Sequence, residues 1–579
     1  MNGHPAYAPY ALTERLEERL GDPRDPARTF SLACVAELDR REEFPADICR
    51  ELDGIGLPGY YVPRRYGGAV RTFEDTLQVA RVMARRDLTT AIGHAKTFLG
   101  GVSAWVAGDP RQAGRVAAEI LSGTVVSWGL TEAEHGSDLL AGEVEAVPAD
   151  GGYRVTGEKW LINNAARGDI VCLLARTDPA GGARGFSLLL MDKRRLAPGT
   201  FRPLPAVRTH GIRGADISGI AFDGAFAGEG ELVGPPGGGL ETVLKGMQLT
   251  RTLIAGLSLG AADRALRLAT AAALEDGPGG RPSVRPHTAR TLAESYADLL
   301  AAEVLGLAGA RAIHALPAEL SVLSAVVKYY VPTSVDELIA RLGQGMGVRA
   351  FLEDGPGGGL FQKVERDHRI VGIFDGNTLV NLNVVINHFP VLVRAYRAGG
   401  FDEAGLDAAV DLSAPPPEFD PGRLGLLSRA GCSPVQALPA SLAELEKAAP
   451  PAVADRARAL AEITDDVHER MAAHRPSAGP APTAAFGLAR DYALCAAGGA
   501  CVRFWLRNRE HPAAADPRTA GLWRDALWLE AALTRLLDRL RPGSSDGGVL
   551  DRLLPEMAAQ YRSGLLFSPL PCDLPEDGS

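Results

Sequence analysis

The sequence predicts three domains in the order helical, β, helical, followed by an appended helical region. Three observations carry that expectation. Apolar residues recur at helical spacing up to about residue 123, alternate in strand fashion over 124–235, and return to helical spacing over 236–400. A Pro-rich stretch, Ala414 to Arg423, then interrupts the pattern. Helical spacing resumes beyond it. The expected units are an N-terminal helical domain (1–123), a middle β-barrel or β-sandwich domain (124–235), a C-terminal four-helix domain (236–400), a linker (401–439) and a helical extension (440–579).

The elements follow in order. Phe30 to Ile55 is helical with an interruption at Pro45. Thr72 to Arg86 and Gly101 to Ile120 are further helices. Strands are expected at Thr124 to Gly129, Leu140 to Val147, Gly151 to Ile162, Ile170 to Arg176, Arg184 to Asp192 and Ser218 to Phe222. Gly239 to Glu275, His287 to His314, Leu320 to Leu342 and Asn377 to Tyr396 form the four-helix array. The extension carries helices near 440–475, 484–508, 515–541 and 549–562.

With 46% apolar and 23% charged residues, the chain has the composition of a folded protein with a sizeable core. The formal charge is -10, and nothing in it asks for a nucleic-acid partner. Only 7 of the 61 basic residues are Lys. The 7 Cys show no C-x-x-C spacing, so neither a disulfide framework nor a zinc site is expected. Met1 to Pro26 has no apolar h-region, and no apolar run reaches eighteen residues. A cytoplasmic protein without a metal or a membrane anchor is the expectation.

Six short motifs run along the chain. They are Leu130-Thr131-Glu132-Ala133-Glu134-His135-Gly136-Ser137-Asp138, Gly157-Glu158-Lys159-Trp160-Leu161-Ile162-Asn163-Asn164, Gly211-Ile212-Arg213-Gly214, Thr250-Arg251, Gln344-Gly345-Met346-Gly347, and Arg366-Asp367-His368-Arg369-Ile370 with Ile373-Phe374-Asp375-Gly376-Asn377. Together, in this order and in these helical and β contexts, they resemble the acyl-CoA dehydrogenase superfamily over roughly residues 20–395. The resemblance implies an acyl-CoA dehydrogenase-like fold, FAD as cofactor, and a homodimer or dimer of dimers. It implies a flavoprotein or oxygen as electron acceptor. The extension is similar to that of the longer members.

The family reaction removes a proton α to a thioester carbonyl while hydride leaves the β carbon. A carboxylate shielded from water suits the proton step. In the resemblance Asp375 stands at the position of the catalytic glutamate, one methylene shorter. Its competing reading is a helix cap. Thr250 occupies the family's alternative base position and cannot serve as a base, while Arg251 matches the family's arginine. Glu134, with His135, replaces small residues and puts an ionisable pair beside the expected pocket. Thr131, Ser137, Leu161, Asn163, Gln344, Gly345, Gly347 and Asn377 match cofactor-contacting positions. Leu161 replaces a Trp, and Asn163 replaces a Thr with an amide that still donates hydrogen bonds. The loop Glu275 to Pro282 lacks the family's Arg and Phe, for which Arg281 or Arg285 compensates in charge.

These features imply α,β-dehydrogenation of an acyl thioester. The competing readings are a flavin-dependent oxidase or monooxygenase of secondary metabolism, acting on a carrier-bound or free acid with coupled decarboxylation, and a non-catalytic scaffold. The extension is expected to pack as a helical layer on the catalytic core.

Overall fold

The computed structural model describes residues 7–275, 285–354, 357–475, 479–543 and 547–576. The N-terminal domain holds α1 (Ala11–Leu20), α2 (Leu32–Arg41), α3 (Ala46–Gly54), α4 (Phe73–Arg86), α5 (Leu88–Ala107) and α6 (Pro110–Leu121). Local caps set these ends. Ser31, Thr72, Asp87 and Asp109 each accept a backbone N–H at the start of α2, α4, α5 and α6. The single helix expected over 101–120 is therefore two. Gly108 and Asp109 are extended, and Pro110 takes the first helical position, where its missing N–H is harmless.

The middle domain is one eight-stranded sheet: β1 (Val126–Gly129), β2 (Glu145–Ala149), β3 (Gly152–Asn163), β4 (Ile170–Arg176), β5 (Phe186–Asp192), β6 (Phe201–Leu204), β7 (Ile217–Gly228) and β8 (Leu232–Val233). The order is β6-β7-β3-β2-β4-β5-β8, with β1 parallel to β4. β6 and β8 were not expected; each is at most four residues and shows no alternation of its own. A small separate core fills this domain, including Val155, Val171, Leu189, Ile220 and Phe222. The long antiparallel pair β3–β7 shifts register between Trp160 and Ile162, which throws Leu161 out of the ladder.

The C-terminal domain comprises α7 (Gly239–Leu253), α8 (Ala255–Glu275), α9 (Pro286–Ala315), α10 (Leu320–Met346), α11 (Leu360–His368) and α12 (Thr378–Ala398). The expected helix Gly239 to Glu275 breaks at Ile254, and α11 was not expected.

The stretch expected as a linker, 401–439, holds α13 (Glu403–Val410) and α14 (Ser433–Gln436), and the extension carries α15 (Leu438–Ala448), α16 (Pro451–Ala473), α17 (Thr483–Asn508), α18 (Pro512–Ala515), α19 (Ala520–Trp523), α20 (Leu527–Leu540) and α21 (Gly548–Arg562). The expected helix 515–541 is interrupted at Asp525 and Ala526, both at positive φ. α17, α20 and α21 all pack on α9, so the extension forms a layer on the C-terminal domain.

Buried charges fasten it. Asp298 of α9 receives Arg535 and Arg539 of α20 and Arg341 of α10. Glu576 sits among Arg85, Arg264 and Arg267 in the interior, and this holds its carboxyl well below the usual range. The Pro-rich stretch is a strap, with Phe419 edge-on to both Phe73 and His314. No single helix among the described residues is long and apolar enough to cross a membrane.

Candidate active site

Asp375 lies between α11 and α12 with φ +56, a left-handed conformation that is strained for a non-glycine residue. Two neighbours hold it there. Gly376 follows at φ +92, where a Cβ would stand 2.8 Å from Nη2 of Arg251. Arg251, in the last turn of α7, donates from Nε to the Asp375 carbonyl at 2.9 Å. Asn377 caps α12 by accepting the Val380 N–H at 3.0 Å. Asp375 is thereby released from the capping role that competed for it. Its Oδ2 is buried and has no hydrogen-bond partner among the described residues.

Two lysines that the sequence reading did not single out complete the surroundings. Lys96 of α5 places Nζ 3.7 Å from Oδ1 of Asp375 and 3.5 Å from the centre of the Phe374 ring. Lys328 of α10 lies 5.0 Å from the same ring and donates to the carbonyl of Val371. Burial pushes the Lys328 ammonium down to about 7, against the attraction of Asp375 and with repulsion from Lys96 and Arg251. Burial also lowers Lys96 and Arg251. A signal for these positions existed: in a chain that uses Arg almost throughout, four of the 7 Lys, at 96, 159, 328 and 363, are buried or nearly so.

Beside this cluster opens an apolar cleft of about 470 Å³. Ala80, Ala91, Leu99, Leu253 and Leu257 line it, with Phe374, Lys96 and Thr250 at its wall. No carboxylate lines it among the described residues.

The Thr131 loop is built differently from its appearance in sequence. Thr131 donates to the Trp160 carbonyl at 2.9 Å and accepts the Trp160 N–H at 3.1 Å, so it is stitched to β3. Glu132 is the organising residue, and it was missed. It accepts Lys159 at 2.8 Å and the backbone N–H groups of Glu143 and Val144. Ser137 is exposed. Glu134 is exposed too, and His135 faces Glu143 at 3.5 Å. Both line a wide cleft of about 1460 Å³ that shares no lining residue with the cleft beside Lys96. Glu134 is thus not brought to Asp375.

Of the residues expected to meet a cofactor, Asn377 is the cap of α12, while Leu161 and Asn163 mark one place and Gly345 and Gly347 another. Leu161, at φ +56, leaves its apolar side chain 45% exposed, and Asn163 has both amide atoms buried without a partner. An unpaired buried amide beside an open apolar side chain fits the edge of a planar heteroaromatic ring. Gly345 and Gly347 line a second cleft of about 780 Å³ together with Arg285 and Arg349. Gly347 has φ +62 and ψ -137, open to Gly alone, and a Cβ on Gly345 would press Thr291 at 3.3 Å. Bare backbone next to two guanidinium groups fits a phosphate-bearing ligand. Gln344 is exposed and does not line this cleft. Arg281 lies outside the described residues.

Comparison with known proteins matches this architecture. The N-terminal, middle and C-terminal domain models of acyl-CoA dehydrogenase match residues 22–124, 127–225 and 237–389. A probable acyl-CoA dehydrogenase of Mycobacterium tuberculosis is 26% identical over 382 residues, 65% of this chain and 96% of its own. An acyl-CoA dehydrogenase of Bacillus subtilis is 28% identical over 263 residues, 45% of this chain and 68% of its own. The structure of an acyl-CoA dehydrogenase complexed with FAD from Bacillus anthracis superposes with a TM-score of 0.67 at 18% identity. It covers 95% of this chain and 91% of that one, so the likeness of fold takes in the extension. With all three domain models matched in order, this chain belongs to the acyl-CoA dehydrogenase family of FAD-dependent oxidoreductases.

Proposed function

We propose that this enzyme α,β-dehydrogenates an acyl thioester, with Asp375 as the base that takes the α proton. The observation that carries the reading is the buried, unpartnered Oδ2 of Asp375 next to an apolar cleft. A carboxylate oxygen without a hydrogen bond is a free proton acceptor, and apolar walls exclude water that would compete for it. Arg251 and Gly376 fix the backbone that aims this oxygen, while Lys96 engages the other one. The acyl chain lies along Ala80, Leu99 and Leu257. Leu161, Asn163, Gly345, Gly347 and Arg285 would hold FAD, which when bound supplies the acceptor for the β hydride. Family members pass these electrons to an electron-transferring flavoprotein, and the same acceptor class is assigned here.

Purified protein loaded with FAD should be yellow and should bleach under anaerobic conditions when an acyl-CoA is added. Protein that stays colourless with FAD, or yellow protein that no thioester bleaches, contradicts the proposal. The exposure of Leu161 favours one second reading, in which oxygen reaches the reduced cofactor and the enzyme acts as an oxidase or oxygenase. Stoichiometric oxygen uptake with substrate supports that second reading. Reduced protein that survives air for minutes supports the dehydrogenase.

A further inference from the structure

One aromatic ring stands between two buried lysines. Nζ of Lys96, on α5, lies 3.5 Å from the centre of the Phe374 ring, and Nζ of Lys328, on α10, lies 5.0 Å from it. Asp375 is the next residue in the chain. Arg251 of α7, itself buried, holds the Asp375 carbonyl. Three cations thus share one carboxylate. The interior of a protein tolerates an ammonium when it is paired and hydrogen-bonded.

The two lysines differ in how well they meet that condition. Lys96 is engaged by Asp375 in an ion pair. Lys328 is 2% exposed and has no ion pair among the described residues. It donates to the carbonyl of Val371, which carries no charge. Asp336, further along α10, also bears on it, but is engaged by His368 at 2.6 Å and is 41% exposed to screening water. A buried ammonium without a counter-charge in contact, and with Lys96 and Arg251 close by, favours the neutral amine. Burial brings Lys328 down to about 7, with repulsion from Lys96 and Arg251 and against the attraction of Asp375 and Asp336. Its charge acts on the base. Proton abstraction moves negative charge off Asp375 and onto the substrate. A cation beside Asp375 is therefore worth more before the step than after it, which holds the ground state down. Without that cation the carboxylate binds the α proton more strongly.

We propose that Lys328 is a positioning residue for the proton step, an ammonium that restrains Asp375 and a neutral amine that releases it, so that α-proton removal quickens when Lys328 gives up its proton. This rests on Asp375 as the base. Lys328 lines no part of the apolar cleft and acts through Asp375 alone. Lys96 and Arg251 hold the carboxylate and its backbone in both states.

The test uses FAD-loaded full-length enzyme in anaerobic single-turnover mixing from about pH 5.5 to about pH 9. The probe is whichever of butyryl-, hexanoyl- and octanoyl-CoA bleaches the flavin fastest, and its α-deuterated form identifies the phase in which the proton leaves. In the native enzyme that rate should rise in one step with a midpoint of about 7. The expected rise is roughly 5- to 30-fold. Lys328→Arg, which stays charged, should be flat at the slow level, and Lys328→Met should be flat at the fast level. On warming, the native midpoint should fall, as an amine's does and a carboxylate's does not, a reading that needs no variant to fold. A step that survives in Lys328→Met, or a midpoint that ignores temperature, overturns the role of Lys328 and leaves Asp375 standing as the base. So does a flat and slow Lys328→Met with full flavin occupancy, because the charge would then assist the step. Failure of the base itself is read separately, in an Asp375→Asn variant that bleaches at the native rate.

Discussion

Arg251 grips the backbone of Asp375: its Nε donates to the Asp375 carbonyl at 2.9 Å. The guanidinium therefore sets where the carboxylate points, at a residue whose φ of +56 would otherwise relax. Arg251→Gln should keep flavin and substrate affinity within a few-fold while lowering kcat by about 100-fold, the scale of a 1 Å misplacement. Steady-state kinetics on the FAD-loaded variant separate the two quantities. A rise in KM at constant kcat would show that Arg251 serves binding instead.

The pairing of Glu576 with Arg85, Arg264 and Arg267 predicts that the far end of the extension stabilises the catalytic core. Glu576→Gln takes from buried Arg264 its carboxylate partner, while Arg85 keeps Glu17 and Arg267 keeps Asp263. The expected loss is about 3–5 kcal/mol, read from the denaturant midpoint. A shift below about 1 kcal/mol would mean that water or Asp263 takes over the charge.

His314 gives the strap a pH dependence. Its Nε2 accepts the Phe73 N–H at 2.9 Å, and burial depresses the imidazole to about 4 from its ordinary 6.5. Between pH 6.5 and 4 the unfolded chain binds a proton that the folded chain refuses, so stability falls as pH drops through this window. From pH 7 to pH 5 the native protein should lose about 2 kcal/mol more than His314→Gln. Parallel curves for the two proteins would contradict the assignment.

Lys328 is the same case, a cation whose charged form burial disfavours, and it has the same sign of slope. Its folded value of about 7 lies below the ordinary 10.5, so the unfolded state binds more protons between those limits. The penalty is complete below pH 7 and gone above 10.5. Lys328→Met should therefore gain stability relative to the native protein by roughly 3 kcal/mol more at pH 7 than at pH 9.5. A constant difference would show that Lys328 keeps its proton throughout.

Much of this was legible in the sequence, for local reasons. Ser31 and Thr72 announce their helices because a hydroxyl before an apolar periodic run satisfies the first free N–H groups. The Gly211 and Arg366-Asp367 motifs are readable because backbones meet there. A Cβ on Gly211 would lie 2.2 Å from the Arg366 carbonyl, and Asp367 accepts the Ile212 N–H at 2.6 Å. Arg366 in turn reaches Asp39 of α2 at 2.6 Å, tying three domains with one pair of residues. Asp375 was legible as a position, since Asn377 takes the cap two residues later.

Other features depend on topology. Lys96 and Lys328 sit in separate helices, and only the packing of α5 and α10 around Phe374 brings them together. Glu132 looked like part of a loop motif, yet its function is to receive Lys159 from β3. Glu134 looked as though it neighboured the reacting centre, but the loop turns it into a different cleft. The break at Ile254 and the kink at Asp525–Ala526 carry no Pro or Gly, so periodicity alone ran through them.

The central claim is that Asp375 removes the α proton, and Asp375→Asn tests it most directly. The amide keeps the size of the side chain and removes the base. In anaerobic single-turnover mixing with the best bleaching thioester, the FAD-loaded variant should bind substrate, seen as a perturbed flavin spectrum. It should then bleach on the order of 100- to 10,000-fold more slowly than the native enzyme. Bleaching at the native rate, with flavin fully occupied, would contradict the account and move the proton acceptor to another group.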